Sequence, residues 1–241
     1  MKKAIILYIL LLVTVTGCIK ENLDDCETTL YFSYLGDGTK EIFPPFEGRE
    51  EANLILGTDL LEHPEKAEGA NNIVIVGGGV VGCETAHWLA NEYGKNVTVL
   101  EMLPHFMMGV CTANRGHLLH YLEKSGVRLY NCTKVKALAK DGVYVEQNQS
   151  QTVPDPYNTW QPLLPPNIPN PMEKAIKEEI VEKKIPADLI VLAMGGKADE
   201  TFFFEAGEEH LAKEIYNIGD SSRAGRVLEA VRGAYHLAVR I

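Results

Sequence analysis

Four apolar residues, Ile73 to Val76, run together without alternation and end in three consecutive glycines. A short unbroken apolar run predicts a parallel strand buried on both faces. The period then changes. Val81, Thr85/Ala86, Leu89 and Tyr93 recur at helical spacing and predict an amphipathic helix, closed by Gly94. "NVTVLE" gives a second short strand ending at Glu101, and "NRGHLLHYLEKSGVRLYN" predicts a helix to Gly126 and a third parallel strand. "KVKALAKDGVYVEQ" alternates like a hairpin turning at Asp141-Gly142. The proline-rich stretch 152–171 reads as an insertion, followed by a charged helix near Met172 to Lys184. "ADLIVLAMGG" closes the series as a buried strand running into Gly195. Strands alternating with helices predict an α/β fold with a parallel sheet, plus a β-hairpin layer.

The first residues follow a different pattern. Lys2 and Lys3 precede an apolar run from Ala4 to Val15, too short to span a bilayer but of signal-peptide length. It ends in "VTGC", which resembles a bacterial lipobox. That resemblance implies cleavage after Gly17, acylation of Cys18 and anchoring to a bacterial membrane after export. The alternative, a buried N-terminal helix or strand, would leave the protein in the cytoplasm. From Met1 to about Phe46 the chain resembles fimbrillin-family lipoproteins of the Bacteroides group, on "ENLDDC" and the Tyr/Phe-rich stretch after it. That likeness implies a surface-anchored structural protein. No series of short alternating strands follows Phe46, as the β-sandwich of such proteins needs.

Gly77, Gly79 and Gly82 stand in the G-x-G-x-x-G spacing between the first strand and its helix. The first glycine permits the turn, the second lets backbone approach a pyrophosphate, and the third lets helix and strand pack closely. The helix N-terminus adds free N–H groups and a positive dipole end for the phosphates. Glu101, about twenty positions on, is the acid expected to read the adenosine ribose. The run Gly77, Gly78, Gly79, Val80, Val81 and Gly82 with Glu101 therefore predicts a Rossmann-like dinucleotide site. A carboxylate repels a 2′-phosphate, and Met102, Leu103 and Pro104 offer it no cation, so NAD(H) is favoured over NADP(H).

Charge and composition narrow the partners. A formal net charge of −10 without a basic run argues against nucleic acid. None of the five cysteines stands in a C-x-x-C pair, which removes sequence support for zinc ribbons and dithiol centres. Cys83 and Cys132 read as buried small hydrophobes, and Cys111 lies in a polar loop. His117 and His120 lie three apart with no third ligand evident, so no metal is expected.

From about Glu51 to Ile241 the segments "NNIVIVGGGVVGCETAHWLA", "VTVLEML", "NRGHLLHYLEKSGV", "IPADLIVLAMGGKAD" and "IYNIGDSSRAGRVLEAVRGAYHLA" resemble the C-terminal part of NADH:flavin oxidoreductases. These are the multidomain relatives of old yellow enzyme that include 2,4-dienoyl-CoA reductases. The resemblance implies an NAD-binding domain over residues 51–213, inserted in an FAD-binding domain whose last strand and helix are residues 214–241. It implies that Gly219-Asp220 faces a flavin ribityl chain and that Glu84 lies near the nicotinamide. The flavin domain's own first glycine loop, the FMN barrel and the iron–sulfur cysteines are expected upstream and are not found before residue 51. FAD is therefore not expected to be held by this chain alone, and the join to the lipoprotein-like start is placed near Phe46 to Glu51. An apolar face of the final helix (Val227, Val231, Ala234, Ala238) is expected to favour self-association or a partner chain. Three functions follow: a nucleotide-binding domain serving hydride transfer, a surface lipoprotein, or a NAD-binding fold without turnover.

Overall fold

The computed structural model describes residues 38–159, 168, 171, 174–225 and 227–240. Cys18, Cys26 and the expected signal segment lie outside the described residues.

Five parallel strands form the central sheet: β2 (Leu54–Leu56), β3 (Asn72–Val76), β4 (Asn96–Leu100), β5 (Arg128–Tyr130) and β9 (Leu189–Leu192). Their spatial order is β2-β9-β3-β4-β5. Alternation along the strands sends side chains to opposite faces. Ile73, Ile75, Val97, Val99, Leu129, Leu189 and Val191 pack on one side with Cys83, Ala86, Leu89, Leu119 and Leu122 of the helices α2 (Val80–Tyr93) and α3 (Thr112–Lys124). Val74, Val76, Leu100, Ile190 and Leu192 pack on the other side with Leu138, Val143, Val145 and Ile185. Burial on both faces is why these strands read as apolar runs.

The second face is covered by an antiparallel sheet of β6 (Thr133–Ala139), β7 (Gly142–Asn148) and β8 (Ile180–Pro186). The hairpin expected at Asp141-Gly142 is present, and it gains a third strand. The charged helix expected near Met172 to Lys184 is corrected by this strand. All seven residues of β7 find register partners in β8, from Gly142 with Pro186 to Asn148 with Ile180. That ladder satisfies backbone groups along β7, and tertiary pairing overrides the local helix preference of a Glu/Lys-rich segment.

A short helix α1 (Gly57–Glu62) follows β2. Upstream, β1 (Thr39–Glu41) pairs antiparallel with β10 (Gly196–Ala198), while Phe46 packs against the second-face core. The compact α/β unit therefore begins before residue 51, and residues 38–50 are built into it. The chain ends in α4 (Thr201–Glu208) and α5 (Val227–Ala238). The expected exposed apolar stripe is present on α5: Val227 is 80% and Val231 58% exposed.

The first half of the proline-rich stretch is tied to the sheet. The Tyr157 hydroxyl donates to the Val127 carbonyl at 2.5 Å and accepts from the Leu129 amide at 3.1 Å, and Asn131 Nδ2 donates to the Pro154 carbonyl at 2.8 Å. Covering the edge strand β5 in this way protects its unpaired side.

Candidate functional site

All five parallel strands point their C-terminal ends to one side of the sheet, and the chain reverses its strand order between β9 and β3. Ligands of open α/β sheets bind at such a switch point, outside the carboxyl ends of the strands. Gly77 to Gly82 and Ala193 to Gly195 meet there.

Each glycine of the loop has its own reason. Gly77 has φ 114°, and a Cβ on it would lie 2.3 Å from the Ala193 carbonyl oxygen. A Cβ on Gly82 would lie 2.0 Å from the Gly77 carbonyl oxygen, so the start of α2 can close on the strand only without one. Gly79 meets nothing within 4 Å. The open position is the one where a pyrophosphate would approach. Gly79 is also the N-cap of α2, with no side-chain cap and no acid in the first turn. First-turn amides have no intrahelical partner and suit an anion. Val80 and Val81 are exposed at this end, 36% and 48%. Val81, expected on the packed face, instead faces outward; Gly82, Cys83, Thr85, Ala86 and Leu89 form the buried face.

Gly78 is held from three sides. Its amide donates to Glu101 Oε2 at 2.8 Å, its carbonyl accepts from the Met107 amide at 2.8 Å, and Cys83 Sγ donates to the same carbonyl at 3.6 Å. The Phe106 ring fills the space where a Cβ on Gly78 would stand, 2.4 Å away. Glu101 Oε1 accepts from the Leu103 amide at 2.8 Å. The carboxylate is thus fixed at the end of β4 by two backbone amides, beside the loop, where it can receive ribose hydroxyls. Burial, reinforced by the Glu101 charge, pushes the Cys83 thiol up to about 12, so it is an inert hydrophobe here.

The remaining predicted residues separate into two places. Gly195 (φ 83°) lies just beyond β9, its carbonyl accepting from the Ile42 amide at 3.0 Å, and Glu84 is exposed on α2. Gly219 and Asp220 form a turn whose contacts run elsewhere. Asp220 Oδ1 accepts from the Gly225 amide at 3.2 Å, and its Cβ lies 3.2 Å from the Cβ position of Gly38. Cys132 is a correction: it is half-buried in a turn after β5, with φ 46°, rather than buried. Cys111 is exposed immediately before α3. His117 and His120 pack edge-on against Tyr121 and line a surface groove of about 880 Å³ along α3, apart from the glycine loop.

Sequence reading missed Arg115. It is 3% exposed, its Nε donates to the Phe106 carbonyl at 3.0 Å, and it thereby braces the segment that holds Gly78. Its only sequence signal is a cation within a helix.

The glycine cradle and Glu101 fit a dinucleotide, and comparison with known proteins agrees. The sequence profile of the family described as pyridine nucleotide-disulphide oxidoreductase, whose members use FAD and NAD(H), matches residues 35–224. It takes in residues 35–46, part of the stretch read as fimbrillin-like. An NADH oxidase of Thermoanaerobacter brockii is 25% identical over 86% of this chain and 27% of its own length. A bilirubin reductase of Mediterraneibacter gnavus is 27% identical over 82% and 25%. This chain spans about a quarter of the length of these relatives. The solved structure of a 2-naphthoyl-CoA reductase with 2-naphthoyl-CoA superposes with TM-score 0.63 at 25% identity, over 85% of this chain and 26% of that one. With the profile spanning most of its length and the glycine cradle formed, the chain belongs to the pyridine nucleotide-disulphide oxidoreductase family.

Proposed function

We propose that the Gly77–Gly82 loop and Glu101 bind NAD(H) in preference to NADP(H), and that the chain is the nucleotide-binding part of an NADH-dependent flavin oxidoreductase of the old-yellow-enzyme-related kind. NADH, when bound, supplies a hydride for a flavin. The residues of this chain supply its position: Gly79 to Val81 receive the pyrophosphate and Glu101 the adenosine ribose. Gly195 and Glu84 flank the nicotinamide half. The observation that carries the reading is the open Gly79 N-cap beside a carboxylate already oriented by two backbone amides. The relatives named NADH oxidase and bilirubin reductase support an NADH-linked redox role. The stripe of Val227, Val231, Tyr235 and Val239 on and beside α5, more than half exposed at each position, supports a second copy or a partner chain there.

The test is titration of the full chain with NADH and NADPH, together with its flavin content as purified. Saturable binding with NADH the tighter ligand supports the proposal. Absence of nucleotide binding sinks it.

A further inference from the structure

Among the described residues, Arg115 is a nearly fully buried cation without an acidic partner. Its guanidinium donates to two neutral carbonyls, Phe106 at 3.0 Å and Asn158 at 3.3 Å, and among the described residues no carboxylate forms an ion pair with it. Burying a charge that is satisfied by neutral groups alone is costly. Burial pulls its pKa down, the direction expected of an unpaired cation.

Its place gives that charge a use. The carbonyl it holds belongs to Phe106, whose ring lies under Gly78, and the next amide, Met107, holds the Gly78 carbonyl. Arg115 and the carboxylates Glu101 and Glu84 all stand close enough to Cys83, at the start of α2, to act on its thiol. An anionic ligand arriving at that turn, on a chain of net charge −10, approaches Glu101 beside Gly78 and Glu84 exposed on α2.

We propose that Arg115 is the counter-charge of the ligand's pyrophosphate: a positioning residue that acts from beneath the glycine loop, drawing a diphosphate onto the first turn of α2. The proposal rests on reading the loop as a dinucleotide site. At an effective dielectric of about 20, a buried unit charge acting on a nearby diphosphate changes affinity by roughly tenfold.

The test compares ADP, which carries the diphosphate, with adenosine, which does not, on the full chain and its Arg115→Gln and Arg115→Lys variants. Arg115→Gln should weaken ADP about tenfold relative to adenosine, and Arg115→Lys, which keeps the charge, should restore most of the ADP preference. Equal weakening of both ligands would mean that Arg115 only supports the fold, and an unchanged ADP preference in Arg115→Gln would mean that its charge is not felt; either overturns the proposal. If Arg115→Gln does not fold, Arg115→Met, neutral and of similar length, is read in its place by the same criteria: a selective loss of ADP binding supports the proposal, and an unchanged ADP preference overturns it. If the unmodified chain binds neither ligand, it is the dinucleotide reading that fails, a result distinct from all the others.

Discussion

The Gly78 amide donates to Glu101 Oε2 across 23 positions of sequence, joining the turn after one strand to the end of the next. The carboxylate has a second anchor in the Leu103 amide. Its remaining lone pairs are therefore presented in a fixed direction before any ligand arrives. Replacing it with glutamine leaves one acceptor for two amides and removes the charge that repels a 2′-phosphate. Glu101→Gln should weaken NADH about tenfold or more, the scale of a lost charge-assisted hydrogen bond, and relax the preference over NADPH. Titration of both nucleotides against both proteins checks this. An unchanged preference removes Glu101 from the site.

Gly79 and Gly82 should answer differently to the same methyl group. Gly82→Ala forces a Cβ to 2.0 Å from the Gly77 carbonyl oxygen, so backbone must move. Overpacking of this kind costs about 1–3 kcal/mol, read as a Tm lower by about 2–4 °C per kcal/mol for a chain of this size. Gly79→Ala meets open space at φ −70° and should keep the Tm, yet it puts the methyl at the proposed pyrophosphate position. NADH should bind it at least tenfold more weakly. If both variants lose stability equally, the assignment of separate roles is wrong.

Thiol chemistry gives a test of the fold beneath the loop. Cys83 is fully buried and its thiol is pushed from 9.0 up to about 12, chiefly by burial. Because the folded value is the higher one, the associated stability is complete below pH 9 and is lost as pH rises towards 12. In the native chain at pH 8, iodoacetamide should label the exposed Cys111 and spare Cys83, as read by peptide mass spectrometry. Early labelling of Cys83 would show that α2 does not pack as described.

The expectation that Cys18 is acylated after export is tested at one atom. Replacing Cys18 with serine should abolish incorporation of a fatty-acid probe and release the protein from membranes in a bacterial host. Equal labelling of both proteins would refute acylation at Cys18.

The parallel strands, α2 and the glycine loop were legible because their signals are local. Ile73 to Val76 shows double-sided burial as an unbroken apolar run, and the spacing of Gly77, Gly79 and Gly82 is set by contacts within one turn and its neighbour. Strand β8 was hidden because nothing inside "EEIVEKKIP" announces β7 as its partner, 38 positions before it at the Asn148–Ile180 to Gly142–Pro186 ladder's Val145–Lys183 step. Strand β1 was hidden for the same reason, its three residues pairing only with β10. Arg115 reads as a polar helix position in "NRGHLL". It becomes buried only when the segments of Phe106 and Asn158 close over it.

The pairing of Thr39 with Ala198 and of Glu41 with Gly196 means that the polypeptide enters and leaves the nucleotide-binding unit through one two-stranded ribbon. Neighbouring strands lie about 4.8 Å apart, so entrance and exit are almost one point. Both hydrophobic cores are built from residues that lie between these two strands in the sequence. Ends held this close together are what the insertion of one domain within another requires.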